Sequence, residues 1–352
     1  MTLLPAIATV SLGRSSVGHN IIEKIKHASL AGFKGVEIFF ECLETYALEL
    51  GDSNQGEKAS RESLLEAATH TRQACIDYDI KVLCLQPFMF FEGQVDEQAR
   101  VEKFKLLDLW FELAHLLDTD LIQIPSNFQR EGTTGDIDCI VADLTLAADL
   151  GAQQSPQIRF SYEGICWGNH IDTWEQTWDI AQRVNQPNFG LCVDVFHIAG
   201  RVWADPAVAG GVRQNGDEAL RISLEKLVRE VPPSKIFYVQ VGDAERLPKP
   251  IVLGSPLYTE GVKPRMSWSR NARLFPFETA LGGYLPIPAI CKAIFTDMGW
   301  EGWVSMEMFG RCLYDTDEKI PEQLAARAAE SWALFTKRYS LEQADDDHQA
   351  RL

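Results

Sequence analysis

The feature that most limits what this chain can become is a regular alternation of short apolar runs with amphipathic helical segments. The runs are Ile7–Leu12, Gly35–Phe40, Ile80–Phe88, Leu121–Pro125, Arg159–Glu163, Gly190–Asp194, Ile236–Gln240 and Trp303–Glu307. Helical periodicity falls between them and after the last, over about 21–31, 61–79, 97–117, 136–150, 174–184, 217–230, 287–298 and 321–339. Short runs without polar alternation suit strands covered on both faces. Their alternation with helices suits βα units building a parallel sheet. Eight units predict an α/β fold, a single (β/α)8 TIM barrel, whose active site lies at the C-terminal ends of the strands. A doubly wound open sheet is the alternative, disfavoured because no Gly-rich phosphate loop follows the first run. The expected barrel spans residues 1–340, and residues 341–352, with Asp345-Asp346-Asp347, read as a solvated, frayed tail. Two long βα loops, 41–60 and about 243–286, are expected over the C-terminal mouth as lids or binding loops.

Four late runs each end on an oxygen-bearing side chain: Glu163, Asp194, Gln240 and Glu307. In adjacent parallel strands those groups converge. Each shares its face with the residue two before it, Ser161, Cys192, Tyr238 and Ser305, three of which are small. Three carboxylates and an amide oxygen make a donor set suited to a hard divalent ion, Mg²⁺, Mn²⁺ or Co²⁺. For any one acid, a helix cap or an arginine partner is the better explanation; for four strand ends in succession it is the weaker one.

Other polar residues fall near the same rim. His197 follows Asp194 by three residues, where a general acid or base can reach a metal-held substrate, and His170 follows Glu163 in Trp167-Gly168-Asn169-His170. Arg273 and Arg270 in the second long loop offer the planar fork that suits a carboxylate. Gln86, before Pro87, is placed to bond a substrate hydroxyl. Glu37 and Glu41 also lie near the rim, without an assignable role.

Charge narrows the partners. With 33 basic and 50 acidic residues the net charge is −17, which argues against a nucleic-acid backbone as ligand. No apolar run approaches the length of a membrane span and no secretory leader is recognisable, so a soluble, cytoplasmic protein is expected. The 8 cysteines are scattered without a CxxC pair, so core filling is expected rather than a zinc cluster or a disulfide framework. A homo-oligomer is expected only from the general frequency of dimers.

The chain resembles the 3-dehydroshikimate dehydratases of the xylose-isomerase-like barrel superfamily, above all the fungal quinate-catabolic form. The resemblance rests on Gln86-Pro87-Phe88, Tyr162-Glu163 with Trp167-Gly168-Asn169-His170, Asp194-Val195-Phe196-His197, Gln240-Val241-Gly242-Asp243-Ala244 and Ser269-Arg270-Asn271-Ala272-Arg273. It implies Glu163, Asp194, Gln240 and Glu307 as ligands of one divalent metal ion, and His197, Ser269 and Arg273 as substrate-facing residues. It also implies conversion of 3-dehydroshikimate, a small carboxylate, to protocatechuate and water. Bacterial members carry an arginine after Gln-Pro-Phe where this chain has Met89. Gln240 replaces the histidine common in the superfamily's sugar epimerases.

Three other readings compete. A metal-dependent ketose epimerase or isomerase on the same barrel is the runner-up, opposed by Gln240 and the arginine-rich loop. A DNA-repair endonuclease of the superfamily wants more histidine ligands and a basic surface. A non-catalytic sensor of quinate-pathway metabolites is opposed by the intact ligand set.

Overall fold

Parallel strands buried on both faces need no polar edge, and here they close on themselves. The computed structural model describes residues 2–51 and 58–349. The barrel strands are β1 (Leu3–Ala8), β2 (Gly35–Phe39), β3 (Lys81–Gln86), β4 (Leu121–Pro125), β5 (Arg159–Glu163), β6 (Phe189–Asp194), β7 (Ile236–Val241) and, after a two-stranded ribbon of β8 (Asp243–Ala244) and β9 (Arg273–Leu274), β10 (Gly302–Met306). The order β1-β10-β7-β6-β5-β4-β3-β2 is a closed parallel barrel. The expected fold is present.

The main covering helices are α1 (Ile21–Leu30), α3 (Arg61–Asp77), α4 (Glu97–Leu116), α5 (Ile137–Ala152), α6 (Trp174–Val184), α8 (Gly216–Glu230), α10 (Ile287–Cys291, continued as a π-helix over Lys292–Asp297) and α11 (Ile320–Gln349). Local chemistry starts them where the sequence suggests. Asn20 caps α1 by accepting from the Ile22 N–H, and Thr173 with Gln176 forms a capping box on α6. Most of the apolar core lies between the strands and this helical ring. A smaller cluster, Ala6, Leu83, Cys84, Leu121, Cys192 and Tyr238, fills the barrel's interior below the mouth. Six of the eight free cysteines are buried, as their placement in apolar runs implies.

Several boundaries differ from the sequence reading, each for a visible reason. The first strand ends at Ala8, and Thr9–Leu12 turns into a buried 3-10 helix. There the Thr9 hydroxyl accepts the Phe39 N–H at 3.0 Å, and Ser11 accepts the Met308 N–H at 2.9 Å, so side chains replace strand pairing. The loop expected over 41–60 begins as helix α2 (Phe40–Leu50), which buries Cys42, Leu43 and Ala47; residues 52–57 of that loop lie outside the described residues. The loop over 243–286 is folded: it contains the β8–β9 ribbon and α9 (Pro264–Ala272), with Trp268 fully buried and its indole N–H donated to the Glu245 carbonyl at 3.1 Å. The final helix continues past Tyr339 to Gln349, and residues 350–352 of the expected tail lie outside the described residues. Among the described residues no helix is long and apolar enough to cross a membrane.

Candidate active site

Register decides which side chains meet inside the barrel. Asp194 pairs with Gln240, Gln240 with Ser305, Pro125 with Glu163 and Gln123 with Ser161 across neighbouring strands. Residues in register point to the same face, so these side chains enter the barrel together, and Glu163, Asp194 and Gln240 stand at the top of their strands. Glu307 follows β10 immediately. The floor below is Ser161, Cys192, Tyr238 and Ser305, as the alternation requires, together with Cys84 and the fully buried Glu37.

The acids are held by a dense polar network. Glu37 receives the Tyr238 hydroxyl at 2.9 Å, the Gln86 amide at 3.2 Å and both of its oxygens the Gln240 Nε2 at 3.2 and 3.0 Å. Glu307 Oε1 accepts from Gln86 at 3.1 Å and from Gln240 at 3.0 Å. Gln123 donates to Glu163 Oε2. Glu163 Oε1 is buried with no hydrogen-bond partner among the described residues.

Arg273 supplies the counter-charge. Its Nη1 lies 2.8 Å from Asp194 Oδ2 and 2.9 Å from Glu307 Oε2, its Nε donates to Ser269 Oγ at 3.0 Å, and its guanidinium stacks 3.9 Å from the Phe196 ring centre. The side chain is almost completely buried. One guanidinium thus faces four carboxylates, Glu37, Glu163, Asp194 and Glu307, in a low-dielectric interior. Burial pushes Glu163 well above the ordinary carboxylate range, and repulsion from Glu307 and Asp194 adds to it. Burial lifts Glu307 to about 8 despite Arg273, and raises Glu37 and Asp194. A cluster so loaded with acid suits a divalent cation. Ligand atoms of Glu163, Asp194 and His197 lie within 4.8 Å of one another.

His197 is buried among these groups. The backbone N–H of Cys166 approaches its Nδ1 at 3.2 Å while the Arg273 guanidinium approaches Nε2; both are donors, and a neutral ring accepts from one of them. Burial and then Arg273 push the imidazole well below its usual value, so it is neutral. Nε2 lies 3.5 Å from both Glu163 Oε1 and Asp194 Oδ2, and 3.0 Å from Arg273 Nη2. The Arg273 guanidinium crowds Nε2, so the carboxylates are the better ligands of the cluster.

The cluster forms the base of a cavity of about 380 Å³, lined higher up by Phe39, Phe128, Trp167, Phe309 and other residues. Gln86, Ser269, Arg273 and His197 also line it. A larger hollow, about 520 Å³, lies between α8 and α10 on the outer ring; its lining, including Leu220, Leu224 and Ala293, gathers no buried acid or base.

Two expectations need correcting. His170 does not reach the cavity: the loop after Glu163 turns outward, and the exposed imidazole lies 3.2 Å from the Thr133 hydroxyl. Gln240 presents its amide nitrogen to Glu37 and Glu307, while its oxygen receives the Cys192 thiol at 3.3 Å. Ligation through that oxygen requires a half-turn of the terminal amide, which exchanges two nearly isosteric atoms. Sequence reasoning also missed the buried Gln123 and left Glu37 without a role. Both are polar residues on the inward face of apolar strands, a signal that period-two alternation carries.

A closed parallel barrel with its acids gathered at the C-terminal mouth defines the class, and the xylose isomerase-like TIM barrel family model matches residues 25–334: the chain belongs to that family. Within it, the chain is 46% identical over 334 residues to the 3-dehydroshikimate dehydratase of Neurospora crassa, covering 94% of this chain and 93% of that one. It is 30% identical over 308 residues to the 3-dehydroshikimate dehydratase of Pseudomonas putida, covering 86% of this chain but 38% of that longer protein. Among solved structures, a xylose isomerase-like TIM barrel/4-hydroxyphenylpyruvate dioxygenase fusion protein superposes with a TM-score of 0.70 at 26% identity, over 98% of this chain and 45% of that one.

Proposed function

We propose that the protein is a hydro-lyase that converts 3-dehydroshikimate to protocatechuate and water, in quinate and shikimate catabolism. The observation that carries this reading is the buried acid cluster at the barrel mouth, with its unpartnered Glu163 Oε1, in a chain similar over nearly its whole length to a fungal enzyme of that name.

The donor set fits a divalent ion of the Mg²⁺, Mn²⁺ or Co²⁺ kind, held by Glu163, Asp194 and Glu307 with the Gln240 amide oxygen after its half-turn. When bound, such an ion supplies Lewis acidity toward the substrate's ketone and adjacent hydroxyl, worth several kcal/mol. The protein's own residues do the rest. The aromatic walls admit a flat six-membered ring and exclude water from it. Gln86 and Ser269 offer polar contacts to the ring hydroxyls. Arg273 holds Asp194 and Glu307 in place and offsets part of their charge. The substrate loses the proton beside its ketone to a base of the site, and that proton returns to the β-hydroxyl as it leaves as water. His197, a neutral imidazole beside the acids, is the group that carries this proton. Tautomerisation then yields the aromatic ring, which draws the reaction forward.

Free thiols throughout the described chain suit a reducing compartment, which favours a cytoplasmic location. The ketose epimerase alternative lacks a specific observation in its favour. Incubation of the protein with 3-dehydroshikimate and a divalent ion, followed by ultraviolet detection of protocatechuate, tests the proposal; product from free ketoses and none from 3-dehydroshikimate would replace it.

A further inference from the structure

The floor of the cavity is acidic and its one guanidinium is occupied, so the carboxylate of a ring acid has no place there. The rim offers a different cation. Arg270 lies in the last turn of α9, one residue after the inward-facing Ser269, and its side chain lines the cavity where it opens to solvent. Among the described residues it makes no ion pair and donates no hydrogen bond; its guanidinium lies over the face of Phe128, 5.7 Å from the ring centre. The other cations of the cavity are engaged. Arg14 Nη1 lies 2.7 Å from Glu41, and Arg273 is held between Asp194 and Glu307. Desolvation at the rim, and then repulsion from Arg14, lower the Arg270 proton affinity, so an anion there relieves an existing cost.

We propose that Arg270 receives the substrate's carboxylate and so selects ring acids over neutral polyols. This rests on the reading of the cavity as a dehydratase site. In 3-dehydroshikimate the carboxylate is on the ring edge opposite the ketone and its neighbouring hydroxyl. With those oxygens directed at the acid floor and any ion held there, the carboxylate emerges at the rim. An inverted ring would set its carboxylate among Glu163, Asp194 and Glu307 and leave Arg270 without an anion. Arg270 donates a planar pair of N–H groups, and Phe128 limits its swing. Arg273, by contrast, orders the acids and is a positioning residue for them.

The test compares two probes that differ by the carboxylate alone, protocatechuate and catechol, titrated calorimetrically into the full chain in Mn²⁺ buffer. The wild type is expected to bind protocatechuate tighter by roughly tenfold or more, as a charge-assisted bond requires. Arg270→Met should bring the two affinities within about twofold by weakening protocatechuate alone, and Arg270→Lys should keep part of the difference. In turnover, Arg270→Met should raise KM for 3-dehydroshikimate more than it lowers kcat. An unchanged preference in Arg270→Met, or an equal loss for both probes, would overturn the proposal, as would a wild type without preference. The two readings separate cleanly. A wild type that makes no protocatechuate, yet loses its carboxylate preference with Arg270, keeps the subsite and discards the reaction. A wild type that turns over while Arg270→Met retains the preference does the reverse.

Discussion

The Arg273 Nη2 lies 3.0 Å from His197 Nε2, and on the other side of the ring the backbone N–H of Cys166 lies 3.2 Å from Nδ1. A ring approached by donors at both nitrogens is held neutral, and burial beside Arg273 lowers its proton affinity further. His197→Ala should lower kcat by about 10²–10⁴, the range for a lost general acid–base group, with a smaller effect on KM. Long-range ¹H–¹⁵N spectra should show a neutral ring from pH 6 to 8; an imidazolium in that range would contradict it.

Arg273 is the counter-ion of a buried acid group, so its removal leaves Asp194 and Glu307 uncompensated. Breaking a buried pair by deleting one partner costs about 3–5 kcal/mol. Arg273→Met should lose about that much in denaturant unfolding with chelator present, and a divalent ion should restore part of it. A variant as stable as the wild type would show that Arg273 is not the balancing charge.

Glu92 offers a pH signature away from the acid cluster. It is buried, accepting the Asn127 N–H at 2.7 Å and the Tyr162 hydroxyl at 2.9 Å, and burial raises it from 4.5 to about 7. A raised folded pKa stabilises the protein below the unfolded value and loses that contribution as pH rises through the folded one. The wild type should lose stability between about pH 4.5 and 7 from this group, on the order of 3 kcal/mol in all. Glu92→Gln keeps an acceptor oxygen, so its stability relative to wild type should improve by up to that amount from pH 5 to pH 8. A difference that stays flat with pH would remove the claim.

The barrel was legible because its strands are short and apolar on both faces and recur between helices. The acids were legible for a related reason: a polar residue ending an apolar strand stands out, and parallel strands bring such ends together. What local pattern does not carry was misread. Thr9-Val10-Ser11-Leu12 has the composition of a strand, but Thr9 and Ser11 bond across to Phe39 and Met308, and that is decided by residues far along the chain. His170 follows Glu163 closely in sequence, yet the turn between them leads it to Thr133. Arg273 meets Asp194 and Glu307 from 79 and 34 residues away, so no spacing rule reveals that it is occupied and Arg270 is not.

The central claim is that the acid cluster at the barrel mouth turns 3-dehydroshikimate into an aromatic product with the help of a divalent ion. Its most direct test is an ultraviolet assay for protocatechuate on the chelated protein, repeated after adding back Mg²⁺, Mn²⁺ or Co²⁺. The account predicts that product formation stops on chelation and returns with metal. Turnover that survives complete chelation would remove the metal from the account, and no product under any of the three ions would contradict the reaction itself.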